Sequence, residues 1–297
     1  MSKILLLGAS GYIGGAFKTA LSKRNFQTLV PSRAELNYFS FHELRQYIRE
    51  LGGVNFLINA AGFTGKPNVD QCEVKREETL QGNLLLPQML SHLAEVENIR
   101  WLQIGTGCIY NGDNNGNGFT EEDEPNFSFK YQNCSFYSGV KAVAETYLKK
   151  DSRCYVARLR IPFDENDGPR NYITKLLTYP KTYDNINSIS HIGDFVESCL
   201  ALYELDCPTG IYNINNEGSI STREVVTMIQ EILNPTREFN YFPNDKEFYR
   251  VAKTPRSNCV LNVDKLASVG IAMRPVREAL RETLDNWIPI INEPHKN

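Results

Sequence analysis

An apolar run, Ile4–Leu7, leads directly into Gly8-Ala9-Ser10-Gly11-Tyr12-Ile13-Gly14, and an amphipathic stretch follows at once. Few folds accept that order. A strand that turns through small residues into a helix leaves the first helical N–H groups open, and a pyrophosphate can sit on them. The spacing is G-x-x-G-x-x-G. Its place between a strand and a helix gives it more weight than the glycines carry alone. Gly8, Ser10, Gly11, Tyr12, Ile13 and Gly14 are therefore candidate dinucleotide contacts.

The rhythm continues downstream. Strands are expected at Gln27–Val30, Val54–Ile58, Arg100–Ile104 and Cys154–Leu159. Helices are expected at Gly11–Ser22, His42–Glu50, Arg76–Glu95 and Tyr137–Leu148. Continuous apolar strands alternating with amphipathic helices predict a parallel sheet covered on both faces, an α/β doubly wound Rossmann domain over residues 1–161. Beyond it, Pro162, Gly168, Pro169 and Pro180 interrupt the pattern. Residues 162–297 are read as a smaller substrate-binding lobe, with part of 186–213 returning to the first domain. Within the lobe, Ser221 and Glu224 form a capping box before an apolar helix. Asn111–Asn117 is read as a surface loop.

The composition narrows the function. A net charge of −3 gives no footprint for nucleic acid. No apolar stretch approaches the ~18 residues of a membrane span. The N-terminal run reads as a strand rather than a signal peptide. Seven cysteines show no C-x-x-C pair or zinc spacing, and four histidines form no cluster, so no metal is expected. Reduced thiols and a cytoplasmic location are the expectation.

The second strand ends in Pro31-Ser32-Arg33, where an acid would bind the ribose hydroxyls of NAD. A guanidinium instead suits the 2′-phosphate of NADP. Ser32 and Arg33 thus favour NADP(H), with NADH still acceptable. Asn59, Ala60, Ala61 and Ile161, at the ends of later strands, are further candidate cofactor contacts.

Tyr137 and Lys141 stand four apart on an expected helix and so share a face. They follow a strand ending in Ile104-Gly105-Thr106. A tyrosine can protonate a carbonyl oxygen while hydride reaches the carbon. A lysine beside it lowers the phenol pKa and holds the nicotinamide ribose. A threonine hydroxyl can bond the substrate oxygen. This Thr–Tyr–Lys order resembles the catalytic set of the extended short-chain dehydrogenases/reductases.

Four longer segments narrow the resemblance: Asn59-Ala60-Ala61-Gly62-Phe63-Thr64-Gly65-Lys66-Pro67-Asn68-Val69-Asp70, Gly105-Thr106-Gly107-Cys108-Ile109-Tyr110, Pro169-Arg170-Asn171-Tyr172-Ile173-Thr174-Lys175 and Pro255-Arg256-Ser257-Asn258. Over nearly its whole length the chain resembles the nucleotide-rhamnose synthases, UDP-4-keto-6-deoxyglucose 3,5-epimerase/4-reductases. More distantly it is similar to dTDP-4-dehydrorhamnose reductase and GDP-fucose synthase. In the latter, a cysteine two residues after the catalytic Ser/Thr is the epimerisation base, a position held here by Cys108. The resemblance assigns its partner acid to Lys175, where GDP-fucose synthase uses a histidine. It also implies substrate contacts at Thr64, Asn83, Arg170, Asn171 and Arg256, with the two arginines neutralising a diphosphate. A UDP-4-keto-6-deoxy sugar is the implied substrate, UDP-L-rhamnose the implied product and a homodimer the implied assembly. UDP and dTDP remain open as carriers. A plain 4-ketoreductase and a catalytically idle nucleotide-binding subunit remain as alternatives.

Overall fold

The computed structural model describes residues 2–290, so the last of the four histidines, His295, lies outside the described residues. Six parallel strands form the main sheet in the order β2-β1-β3-β4-β5 and then Gly210–Asn213. Here β1 is Lys3–Leu7, β2 Gln27–Leu29, β3 Phe56–Asn59, β4 Arg100–Thr106 and β5 Cys154–Leu159. From β1 the chain steps outward to β2 and then crosses back to β3 on the other side. That reversal lies between β1 and β3, and ligands of such sheets bind at the strand ends there. One apolar layer packs Ile4, Leu6, Phe17 and Ile58 against Phe195 and Leu200. The other packs Leu5, Leu7 and Leu57 against Leu44, Leu90 and Trp101. Alternate residues of one strand thus feed opposite layers, as the pleat requires.

The expected helix over 76–95 runs without interruption to Val96 but carries a π-helical turn inside it. Arg76–Leu80 passes into a π-helical turn, Gln81–Leu85, and then into Leu86–Val96. The cause is tertiary. Gly82 lies so close to the loop after β3 that an added Cβ would be 3.2 Å from the Phe63 nitrogen. The extra residue in the turn aims Asn83 at that loop. Such insertions are common beside functional sites.

Beyond β5 the chain forms a smaller core of Phe163, Ile173, Ile189, Ile220, Val225, Val226, Ile229, Val276 and Leu280. The segment Ile192–Glu204 is a helix packed on the Tyr12–Ser22 helix. It returns the chain to the main sheet, where Gly210–Asn213 pairs in parallel with β5. The Ser221–Glu224 capping box is present at the start of Thr222–Ile232. No helix of the described residues is long and apolar enough to cross a membrane.

Candidate active site

β4 delivers Thr106 to the cleft. Its hydroxyl oxygen accepts a hydrogen bond from the Cys108 backbone N–H at 3.1 Å and so caps the short turn Gly107–Ile109. That bond sets Cys108 immediately beside the strand end. The helix Phe136–Leu148 crosses above, capped by Ser135, whose hydroxyl oxygen accepts from the Ser138 N–H at 3.1 Å. A Cβ on Gly139 would meet the half-exposed Phe129 ring at 2.2 Å, so any larger residue there would have to push that ring aside.

Tyr137 and Lys141 lie one turn apart on this helix. The Lys141 ammonium donates to the Ile104 carbonyl at 2.7 Å. Burial lowers the lysine to about 8, against opposing pulls from Glu145 and Cys108. Burial pushes the Tyr137 phenol well up, and charge at Cys108 and Cys72 adds to this, while the Thr106 hydroxyl and Arg160 pull the other way. The Tyr137 residue is half-buried. A phenol that holds its proton tightly is a donor, not a base, until a neighbouring cation or a substrate oxygen changes its surroundings.

Arg160, which sequence reasoning passed over, faces Cys108. It lies just past β5, is 4% exposed, and donates from Nη1 to the Cys108 sulfur at 3.0 Å. Its position beyond the last strand residue was legible in the sequence, but its direction was not.

The lobe supplies Lys175 from the helix Tyr172–Thr178. Burial lowers its ammonium pKa, and the Arg170 and Arg256 charges add to the effect. Arg170 donates to the Gly65 carbonyl at 2.6 Å and so ties the lobe to the loop after β3. Thr64 is exposed on the same loop.

Three of the expected substrate residues already have partners within the protein. Asn171 is fully buried. It caps its helix by accepting from the Ile173 N–H at 3.0 Å, and its amide donates to the Asp164 and Asn166 carbonyls. With its polar atoms committed inside the loop, it shapes the lobe. Asn83 donates to the Phe63 carbonyl at 2.7 Å and accepts from the Phe63 N–H at 3.2 Å, and so orders the loop after β3. Arg256 pairs with Asp70 at 2.7 Å, so its charge is already compensated. Of the two arginines, Arg170 alone pairs with no carboxylate among the described residues, which leaves its charge available to a diphosphate.

The cofactor candidates gather around the β1–β3 switch. Gly8 has φ +81, and a Cβ there would be 2.5 Å from the Ala61 nitrogen. A Cβ on Gly14 would be 2.1 Å from the Gly8 carbonyl oxygen. The Tyr12–Ser22 helix starts at Gly11 with no side-chain cap and no acid in its first turn. Its leading N–H groups therefore suit an anion, as a dinucleotide pyrophosphate requires. Ser10 lies exposed in this turn. Asn59 is internally committed: it donates to Gln103 at 2.8 Å and accepts from the Ala61 N–H at 3.1 Å. Only the backbone and the Ala60–Ala61 surface remain for a ligand there. Ile161 sits in a left-handed conformation, φ +35, where the chain leaves the sheet.

Ser32 gives its N–H to Glu35 at 2.7 Å, whereas Arg33 is exposed, holds the Tyr38 hydroxyl through Nε at 2.8 Å and pairs with no carboxylate among the described residues. Its two terminal amino groups are the donors left to read a 2′-phosphate. Arg33→Ala should weaken NADPH binding by about 10- to 150-fold, equivalent to roughly 1.5–3 kcal/mol, and leave NADH binding nearly unchanged. Fluorescence titration of both cofactors checks this. Equal weakening of both would remove Arg33 from phosphate recognition.

The family model described as "RmlD substrate binding domain" matches residues 2–288. A bifunctional dTDP-4-dehydrorhamnose 3,5-epimerase/dTDP-4-dehydrorhamnose reductase from Arabidopsis thaliana is 29% identical over 300 residues, covering 98% of this chain and 93% of that protein. The crystal structure of a UDP-rhamnose synthase from Acanthamoeba polyphaga mimivirus superposes with a TM-score of 0.87 at 28% identity, covering 96% of this chain and 99% of that one. A dTDP-4-dehydrorhamnose reductase from Bacillus anthracis, solved in complex with NADP, shares the fold with a TM-score of 0.79 at 18% identity, covering 97% and 99% of the two chains.

Proposed function

Because the chain belongs to the RmlD substrate binding domain family, we propose that it is an NADPH-dependent 4-ketoreductase of a nucleotide-linked 4-keto-6-deoxy sugar, and that it also inverts carbons 3 and 5 of that sugar. The substrate is UDP-4-keto-6-deoxy-D-glucose and the product UDP-L-rhamnose. One observation carries this reading. The Thr106–Tyr137–Lys141 reduction set has a partly accessible thiol, Cys108, beside it, and the lobe carries a half-buried lysine, Lys175, whose affinity for its proton is weakened. Reduction needs neither of the last two groups. Inversion beside a ketone needs a base and an acid.

The chemistry follows from these placements. Protons on carbons 3 and 5 are acidic because the carbon-4 ketone takes up the electron pair as an enolate. Cys108 removes such a proton from one face. Lys175, approached from the lobe, returns one to the other face. Thr106 and Tyr137 donate hydrogen bonds to the enolate oxygen and hold its charge. NADPH, when bound, supplies the hydride for carbon 4. Tyr137 then gives its proton to the carbonyl oxygen, and the Lys141 cation stabilises the phenolate left behind. Gly8–Gly14 and Arg33 hold the dinucleotide, and Arg170 meets the sugar diphosphate. We place the reaction in the cytoplasm and in a homodimer, with two copies meeting where Val143 and Tyr147 stand exposed on the catalytic helix.

The test uses the UDP- and dTDP-linked 4-keto sugars in deuterated buffer, followed by proton NMR. Without NADPH, both ring protons beside the ketone should exchange. With NADPH, the rhamnose configuration should appear, faster from the UDP sugar. Reduction without exchange would leave a plain 4-ketoreductase. Neither reaction with either sugar would leave a nucleotide-binding subunit.

A further inference from the structure

Arg158 and Arg160 lie two residues apart and are both buried, yet they are satisfied in different ways. Arg158 is 1% exposed and grips Glu145 with two nitrogens, Nε at 3.0 Å and Nη2 at 2.7 Å. Arg160, 4% exposed, pairs with no carboxylate among the described residues. Its Nη2 donates to the Asn187 side-chain oxygen at 2.6 Å and to the Ser257 carbonyl, and its Nε has no partner. Asn187 also accepts from the Cys259 N–H at 2.9 Å, which locks the direction of the guanidinium. The one remaining contact is the Cys108 sulfur at 3.0 Å.

A guanidinium does not lose its proton in a protein. Taken out of water without a counter-ion, it is costly. The group beside it that can become an anion is the thiol.

We propose that Arg160 is the positioning residue of Cys108: it fixes the sulfur at the strand end and carries the counter-charge of its thiolate. This rests on the epimerase reading above. In the step it serves, the substrate C–H bond breaks and an S–H bond forms, while the C–H electron pair moves into the enolate. The enolate carbon then takes a proton from the Lys175 ammonium on the opposite face, which leaves a neutral amine. Exchange with solvent restores thiolate and ammonium. Arg160 never gives up a proton. It keeps the sulfur anionic at the start of each cycle and aligned throughout. The other titratable groups facing the sulfur are Tyr137, Lys141 and Cys259.

The probe is iodoacetamide, with alkylation of each cysteine followed by peptide mass spectrometry as a function of pH. Cys134, the other partly accessible thiol, serves as internal reference. Arg160→Gln keeps an amide donor but drops the charge. It should raise the pH midpoint of Cys108 alkylation by about one unit or more and slow the reaction near neutrality about 10-fold, while Cys134 is unmoved. Arg160→Lys, which keeps a cation, should restore most of the rate. An unshifted midpoint in Arg160→Gln overturns the proposal.

A second measurement leaves Arg160 intact. Cys108→Asp supplies a permanent counter-charge and should melt higher at neutral pH than Cys108→Asn. Equal or reversed melting temperatures also overturn the proposal. The two readings separate cleanly. If wild-type protein exchanges ring protons while the midpoint does not shift, the Arg160 role fails alone. If the midpoint shifts while wild-type protein exchanges nothing, the epimerase reading fails and the Arg160–Cys108 pair stands.

Discussion

Tyr137→Phe should lower the rate of ketone reduction by on the order of 100-fold or more while NADPH affinity stays close to wild type. The substitution removes one oxygen from a ring that the surrounding protein already fixes. The helix cap at Ser135 and the close approach at Gly139 do not depend on that oxygen. What disappears is the phenol proposed to protonate the substrate oxygen. Thr106 can still hydrogen-bond that oxygen, but its hydroxyl is a far weaker acid than the phenol. Single-turnover reduction at saturating NADPH separates this chemical defect from a binding defect. Turnover within a few-fold of wild type would remove Tyr137 from the reaction.

Cys108→Ser should abolish deuterium incorporation at carbons 3 and 5 and yet permit reduction of a ketone whose two centres are already inverted. Serine keeps the size of cysteine and the backbone N–H bond to Thr106. Its hydroxyl is far harder to ionise than a thiol of ordinary pKa near ~8.5, so the Arg160 guanidinium loses its anionic partner. Lys175→Met should impair exchange or inversion at one or both centres as well, because the half-buried ammonium proposed to return the proton is gone. The readout is NMR in deuterated buffer without NADPH. Full exchange by Cys108→Ser would assign the base elsewhere. Loss of both exchange and reduction would mean that the substitution damages the cleft as a whole.

Elements whose cause is local are legible in the residue pattern. The Ile4–Leu7 strand, the glycine turn and the helix after it follow from apolar periodicity and from residues that only a tight turn accepts. Tyr137 and Lys141 face one way because four residues are close to one helical turn. The Ser221–Glu224 cap is likewise written in four consecutive residues. The tertiary structure decided whatever depends on a partner distant in the chain. Arg33, Arg160, Arg170 and Arg256 are one residue type with four fates: exposed beside Tyr38, buried against a sulfur, bound to a loop carbonyl and paired with Asp70. Nothing in their immediate neighbours distinguishes them. Asn171 reads as a substrate contact, and only the folded loop shows its amide turned inward. The π-helical turn at Gln81–Leu85 has the same origin, since helical periodicity runs through it and the approach of the Phe63 loop favours an extra residue there. Local sequence sets backbone preference and side-chain spacing. The charge state and task of a side chain are set by what surrounds it after burial, and those surroundings come from segments that meet only when the sheet and the lobe have packed.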